Sequence, residues 1–198
     1  MDVKETASKA LESALSDFES IIASSGWTEL GAKDEVRGYQ KIDGDRVLVK
    51  GEGFIKLTPD KIADFLWDLN NRKAYVEEVD TLKVHHDFGD IKVAHEVIKF
   101  PWPLSSREIF YALKKVKQEE DYLIIGRSID FGLKESADNV RADVFIRAFH
   151  LKNVKNIATK MTYLNSGNPG GSIPAYLINQ AAGRQAFLIS KIRSLVIR

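Results

Sequence analysis

The segment KFPWPLSSREIFYALKKV, residues 99–116, places an apolar loop directly before a charged pair and a long alternating run. Pro101 and Pro103 enclose Trp102, and Arg107 and Glu108 follow the loop. Proline fixes its own φ and cannot donate to a sheet ladder, so this loop is expected to be extended, with the strand beginning after it. The segment therefore predicts a strand whose entrance is covered by an apolar loop.

The run that begins at residue 109 divides into two faces because strand side chains alternate across a sheet. One face carries Ile109, Tyr111 and Leu113, and the other carries Phe110, Ala112 and Lys114. Both faces begin with large apolar side chains. The set that begins with Ile109 either packs in a solid core under a helix or lines an internal cavity.

The same alternation continues on either side of this strand. Short turns divide three pairs of strand-like segments, namely 82–86 with 91–98, 109–118 with 122–130, and 140–151 with 157–164. Further short strands are predicted between Trp27 and Gly53, with a turn at 43–45. Consecutive hairpins of this kind are typical of an antiparallel meander.

Two long segments have helical periodicity instead. Residues 3–23 have an apolar stripe at helical spacing and end at Ser24, Ser25 and Gly26. A second helix is predicted over about 174–195, and a shorter one begins at Thr58 and Pro59. The order of elements predicts an α+β fold in which a curved antiparallel sheet wraps a long C-terminal helix.

Composition excludes several functional classes. The 198 residues include 29 basic and 28 acidic side chains, well mixed, which argues against a nucleic-acid binder. There is no cysteine, so disulfides and thiol chemistry are excluded, and no apolar run reaches the ~20 residues of a membrane-spanning helix. We expect a single domain over residues 1–198, monomeric and cytoplasmic.

Two stretches resemble one known family. PWPLSSREIFYALK (101–114) is similar to the Trp-Pro-Leu, small residue, Arg-Asp/Glu segment of START domains, the steroidogenic-acute-regulatory-related lipid-transfer family. TYLNSGNPGGSIPAYLINQAAGRQAFLISKIRSLV (162–196) resembles the family's Thr-Tyr strand, Pro-Gly-Gly turn and terminal helix. The order of helices and strands agrees over nearly the whole chain.

This resemblance implies a helix-grip fold with an internal hydrophobic tunnel for one lipid or sterol-like molecule, with a volume of roughly 300–1,000 Å³. It implies a carrier or sensor without chemistry of its own, transient membrane contact, and a door formed by the loop before the central strand and the C-terminal helix. The ligand-binding residues that it implies are Glu96, Trp102, Leu104, Ile109, Tyr111, Leu113, Arg127, Ile129, Ile178 and Ala181.

Glu96 is the polar residue that the resemblance singles out. In sterol-binding relatives an acidic residue at this position pairs with an arginine at the position of Leu113, which this chain lacks. A buried carboxylate without a partner is costly and tends to be neutralised. Glu96 therefore points outward, or a ligand serves it, or another cation pairs with it. We propose Arg127 as that cation, and the alternative is that Arg127 is an exposed strand residue.

Metal or cofactor chemistry is not indicated. His85 and His86 point to opposite faces of an extended strand, and His95 and Glu96 lack the second histidine of an HExxH motif. We therefore expect no metal site and no cofactor. Two other classes remain open, a helix-grip enzyme such as a cyclase or hydrolase acting on a hydrophobic substrate, and a regulatory interaction module with a vestigial cavity.

Gly183 lies inside the predicted C-terminal helix, where glycine costs about 1 kcal/mol relative to alanine. It either allows a close contact with the sheet or weakens the helix so that it can flex as a lid. We favour the close contact.

Overall fold

The computed structural model describes residues 2–44, 46–133 and 136–197. Its ten strands are β1 (Thr28–Lys33), β2 (Val36–Asp43), β3 (Arg46–Ile55), β4 (Val79–Asp87), β5 (Ile91–Ile98), β6 (Arg107–Gln118), β7 (Asp121–Ser128), β8 (Val140–Arg141), β9 (Asp143–Val154) and β10 (Ala158–Asn168). The helices are α1 (Val3–Ala23), α2 (Pro59–Trp67), α3 (Arg72–Tyr75), α4 (Ala175–Ala186) and α5 (Leu188–Val196), with a 3-10 turn at Leu69–Asn71.

The strands form one curved sheet in the order β1-β2-β3-β10-β9-β7-β6-β5-β4. All neighbours in this order are antiparallel, and only the two-residue β8 pairs in parallel, with β6. The chain crosses from β3 to the far edge of the sheet through α2, the 3-10 turn and α3. The antiparallel α+β architecture predicted from the hairpin pattern is confirmed.

Helices cover both faces of the sheet. α1 lies on the convex face, where it buries Ala7, Leu11, Ala14 and Phe18 against strand residues such as Ile125. The side chain of Asp2 caps its first turn by accepting hydrogen bonds from the N–H groups of Lys4 and Glu5, which otherwise have no partner within the helix.

On the concave face lie α2, α3 and α5. Their apolar side chains meet those of the central strands in one cluster that includes Ile62, Leu66, Tyr111, Phe149 and Ile189. This cluster fills the space where the resemblance implies a tunnel.

The C-terminal helix expected over 174–195 is two helices, with Phe187 between them. The break lies where the backbone of Ala186 meets the sheet. A Cβ built on Gly51 of β3 would come within 2.3 Å of the carbonyl oxygen of Ala186, so only glycine fits there. The close approach to the sheet at Gly51 therefore coincides with the break between α4 and α5.

Candidate functional site in the concave face

The polar centre of the concave face is Glu96 on β5, which is fully buried. Arg72, at the start of α3, donates through Nε to Glu96 Oε1 at 2.8 Å. Arg147 on β9 donates through Nη1 to Glu96 Oε2 at 3.0 Å. Each carboxylate oxygen therefore has its own guanidinium. We call these three residues the Arg-Glu-Arg cluster.

The cluster fixes the charge state of Glu96. Burial by itself would raise the pKa of Glu96, but the two guanidinium groups outweigh burial and hold its pKa at about 2. The pKa of Arg72 is raised, because its pairing with Glu96 outweighs its own desolvation. Glu96 is therefore ionised near neutral pH. Because guanidinium groups stay charged in proteins, the two arginines and one carboxylate give the cluster a net charge of +1.

Tyrosine side chains surround the cluster. Tyr75, Tyr111 and Tyr163 are buried, and burial raises the pKa of each phenol, so they stay protonated. Arg147 lies over the ring of Tyr111 and Arg72 over the ring of Tyr75, each with its guanidinium carbon 5.3 Å from the ring centroid. The aromatic faces thus replace part of the hydration that the two cations lose.

Within the part of the chain that the structure describes, three buried polar atoms of this site have no hydrogen-bond partner, namely Arg72 Nη1, Arg147 Nε and Tyr111 Oη. All three residues line a small interior cavity. Unsatisfied buried donors cost about 1–3 kcal/mol each, and more for charged groups. The site can therefore donate hydrogen bonds to acceptor atoms of a molecule that enters the cavity.

The cavity itself is small. Its volume is about 10 Å³, room for about one water molecule. The expected tunnel of several hundred Å³ is not open in this structure, because Leu66 of α2 and Leu69 of the 3-10 turn pack in one apolar cluster with Leu113 and Phe149 of the sheet. Enclosing a larger molecule requires these layers to separate.

The concave face receives only some of the residues predicted from the sequence. Ile109, Tyr111 and Leu113 lie on it, as alternation indicated, and so does Glu96. Ile129 does not, because it packs in the convex cluster beneath α1.

Arg127 does not pair with Glu96. It lies on the convex face, donates to the carbonyl of Phe145 at 2.6 Å and to Ser13 at 2.7 Å, and forms an ion pair with Asp17 of α1. The proposed pairing is wrong because residue 127 has the same parity as Leu123 and Ile125, which face α1.

The predicted door residues are also placed differently. Trp102 is 92% exposed and covers neither core nor cavity, because a turn closed by Leu104 N–H and the carbonyl of Pro101 directs it outward. Leu104 is partly buried. Ile178 is exposed and Ala181 is partly buried, because α4 rests on β2 and β3 through Ala182 and Ala186 instead of crossing the centre of the sheet.

Two functional candidates, Arg72 and Arg147, were missed. Arg147 shares strand parity with Phe149 and Leu151, which are both in the concave cluster, so an arginine within an apolar face was the available signal. For Arg72, the surrounding segment NNRKAYV (70–76) gave no indication of the direction in which the side chain points. No group of three histidine or acidic side chains suited to a metal ion occurs in the described ranges.

Arg107 joins the two loops at the end of the sheet where β6 begins. Its guanidinium donates to the carbonyls of Pro169 (2.9 Å) and Gly170 (3.2 Å) after β10, and to that of Ser105 before β6. Glu108 accepts from the N–H of Ser136 at 2.8 Å and contacts His95 at 3.2 Å. The charged pair of the opening segment therefore holds the loops around it.

Comparison with known proteins agrees with this architecture. The START domain family model matches residues 31–195. Mouse phosphatidylcholine transfer protein (Mus musculus) is 26% identical over 171 residues, which cover 84% of this chain and 77% of that protein.

Two solved structures show the same fold. Human StAR-related lipid transfer protein 5 superposes with a TM-score of 0.87 at 12% identity, covering 98% of this chain and 97% of that one. A STAR-related lipid transfer protein from Xanthomonas axonopodis gives a TM-score of 0.77 at 20% identity, covering 88% of this chain and all of the solved fragment. Because the family model covers most of the chain, the protein belongs to the START domain family.

Proposed function

We propose that the protein binds one phospholipid in the concave face of the sheet and carries it between membranes without altering it, as a cytoplasmic monomer. The observation that carries this proposal is the Arg-Glu-Arg cluster with its unpartnered donors, Arg72 Nη1, Arg147 Nε and Tyr111 Oη, around one interior cavity. A phosphodiester offers acceptor oxygens and a single negative charge. It would satisfy the donors and neutralise the +1 charge of the cluster.

The identity of the relatives supports a phospholipid over a sterol. The mouse relative is named for transfer of phosphatidylcholine. A sterol offers one hydroxyl group and no charge, so it would leave the positive charge of the cluster uncompensated. The phosphodiester, which many phospholipids share, is the part of the ligand that the cluster is suited to recognise.

Acyl chains need far more room than the cavity of about 10 Å³ provides. α4 is the element best suited to move, because it buries only Ala182 and Ala186. The loops beside it are joined by the hydrogen bonds that the guanidinium of Arg107 donates to backbone carbonyls. We propose that α4 and these loops move aside to form the entrance, and that the layer of α2 and the 3-10 turn separates from the sheet to make room for the ligand. Apolar burial of the acyl chains, about 25 cal/mol per Å², then compensates for the disrupted packing between helix and sheet.

Membrane contact is proposed at the same end of the sheet. Trp102 is 92% exposed and Tyr176 is 69% exposed, and each lies in or directly after one of the two loops that Arg107 joins. Amphipathic aromatic rings are favoured at the level of lipid headgroups. No helix in residues 2–44, 46–133 or 136–197 has the length and apolar character needed to cross a bilayer.

The same cluster argues for a carrier rather than an enzyme. A general acid or base works best with a pKa near the operating pH. The pKa of Glu96 is held at about 2, and those of Tyr75, Tyr111 and Tyr163 are raised by burial. These groups are suited to electrostatic recognition and poorly suited to proton transfer.

The test is transfer of a fluorescent phosphatidylcholine from donor to acceptor vesicles by wild type, Arg147→Met and Arg127→Met. Arg147→Met removes a ligand donor and leaves Arg72 paired with Glu96, so we expect transfer to fall about 10- to 100-fold. Arg127→Met, an arginine change on the convex face, should stay within about 2-fold of wild type, because the ion pair and the two hydrogen bonds that it loses all lie outside the cavity. Circular dichroism checks that both variants are folded.

Two results would contradict the proposal. Transfer by Arg147→Met at the wild-type rate would show that the cluster does not hold the ligand. No transfer by the wild-type protein would favour an interaction module with a vestigial cavity.

A further inference from the structure

A second surface of the molecule, at the far end of the sheet from Trp102, combines basic and apolar side chains. Lys160 of β10 lies directly opposite Lys152 of β9 on one side and opposite Phe54 of β3 on the other. All three side chains are exposed on the convex face. The adjacent row is covered, since His150 packs against Phe18 of α1 with ring centroids 5.5 Å apart. The row of Lys152, Lys160 and Phe54 is therefore a part of the convex face that α1 leaves open.

The surface extends into the neighbouring turns. Lys155 and Ile157 lie in the β9–β10 turn, and Lys56 follows β3 two residues after Phe54. Both lysines are exposed, and Ile157 is 72% exposed. We call Phe54, Lys56, Lys152, Lys155, Ile157 and Lys160 the basic end.

The lysines of the basic end lack ion pairs within residues 2–44, 46–133 and 136–197. None of Lys56, Lys152, Lys155 and Lys160 forms an ion pair with a carboxylate of the described residues. Glu52, on the same face of β3 as Phe54, is paired with Lys50 at 3.3 Å. Like charges directly opposite across a sheet are destabilising, so Lys152 and Lys160 together cost free energy in the isolated protein. An external anionic surface would remove that cost.

The apolar side chains indicate which kind of anionic surface fits. Phe54 is 55% exposed and stands beside Lys160, so burial of its ring and attraction of the lysine can occur in one contact. Lysines around exposed aromatic and aliphatic side chains are typical of proteins that lie on anionic bilayers. The acidic residues Glu119 and Glu120, in the β6–β7 turn, lie on the other side of β9 and mark the edge of the surface.

We propose that the basic end docks on membranes that contain anionic phospholipids. The eight residue-to-residue steps from Lys160 to Asn168, at about 3.3 Å each, place it about 25 Å along β10 from the loops that Arg107 joins. It is therefore a membrane contact separate from the end proposed for lipid entry, and it does not depend on the ligand cavity.

The test is co-sedimentation of the full chain with vesicles of phosphatidylcholine alone and of phosphatidylcholine mixed with phosphatidylserine. We expect binding to the mixed vesicles that falls as salt is added. Lys152→Ala/Lys160→Ala should weaken this binding about 5-fold for each charge removed. Phe54→Ser should weaken it at all salt concentrations, because it removes apolar burial.

The matched control is Lys73→Ala/Lys83→Ala, which removes the same charge from exposed positions on α3 and β4 and should bind like wild type. Equal binding to both kinds of vesicle would overturn the proposal. A loss of vesicle binding in the control as large as that in Lys152→Ala/Lys160→Ala would overturn it too. Capture by an acidic polymer such as heparin without any capture by vesicles would also overturn it. Transfer of phosphatidylcholine by Arg147→Met, measured separately, reports on the cavity and not on this surface.

Discussion

At the scale of residues, the site depends on a carboxylate that two arginines share. Taking three charges out of water costs several kcal/mol per ion, and the hydrogen bonds of 2.8 and 3.0 Å between Glu96 and its partners offset much of that cost. Removing the shared carboxylate leaves two buried cations facing one another. Glu96 is therefore expected to be required for folding stability, even though the cluster is proposed to serve ligand recognition.

Glu96→Gln should destabilise the protein by about 3–5 kcal/mol, measured by urea denaturation, because the buried guanidiniums lose their counter-charge. The difference in the free energy of unfolding between wild type and Glu96→Gln should depend on pH. The pKa of Glu96 is lowered from 4.5 to about 2 in the folded protein, so its ionised form stabilises the fold at pH values above 4.5. This contribution is lost as pH falls from about 4.5 to 2, where protonated wild type approaches the variant.

Glu29→Gln, at an exposed position, is the control and should change the free energy of unfolding by less than about 0.5 kcal/mol. If the difference in the free energy of unfolding between wild type and Glu96→Gln stays constant down to pH 2, the ion pairing is contradicted.

The sequence predicted part of this site for physical reasons that can be stated. Alternation correctly placed Ile109, Tyr111 and Leu113 on one face, since a strand keeps its parity. It failed for Arg127 because both faces of β7 are buried and apolar, so parity alone could not say which face meets α1. The partners of Glu96 come from 24 and 51 residues away in the chain, and their meeting depends on how the sheet curves beneath α3.

At the scale of elements, the C-terminal helices are divided by the way they meet the sheet. Gly38 and Gly51 leave room for Ala186, and a Cβ at Gly38 would lie 2.9 Å from the Cβ of Ala186. Gly183, in contrast, has no atom within 4 Å of the position where a Cβ would be. The favoured interpretation of Gly183 as a close contact is therefore wrong, and the remaining interpretation is that it weakens α4.

Gly183→Ala should stabilise α4 by up to about 1 kcal/mol, because alanine loses less conformational entropy than glycine and meets no clash. If α4 must move for lipid uptake, the transfer rate should fall while the thermal midpoint is unchanged or higher. Gly51→Ala should destabilise the protein and lower its thermal midpoint, because the new methyl group collides with the backbone of Ala186. A lower midpoint in Gly183→Ala would show that the position is packed after all.

The break at Phe187 was not predicted, because both halves continue the same helical periodicity of apolar residues. Periodicity reports which side chains face the core and is insensitive to one residue that leaves the helical conformation. The glycines that explain the break are on β2 and β3, more than 130 residues earlier in the chain. Only the folded sheet brings them to Ala186.

At the scale of the whole molecule, the START fold holds its polar cluster beneath a closed concave layer, with a cavity of about 10 Å³. A phospholipid is much larger than this, so binding must exchange side-chain packing between the helices and the sheet for packing against acyl chains. Hairpin spacing and terminal motifs were enough to predict the sheet and its helices. The closed interior depends on packing between α2, α5 and the strands. This packing cannot be predicted from local sequence patterns.

Binding of one phospholipid requires this interior to open. Native mass spectrometry of the protein, after incubation with phosphatidylcholine vesicles and removal of the vesicles, measures whether it does. We expect a protein mass increased by one phospholipid molecule, with no species carrying two. A spectrum that shows only the mass of the free chain would rule out an interior that opens for phosphatidylcholine.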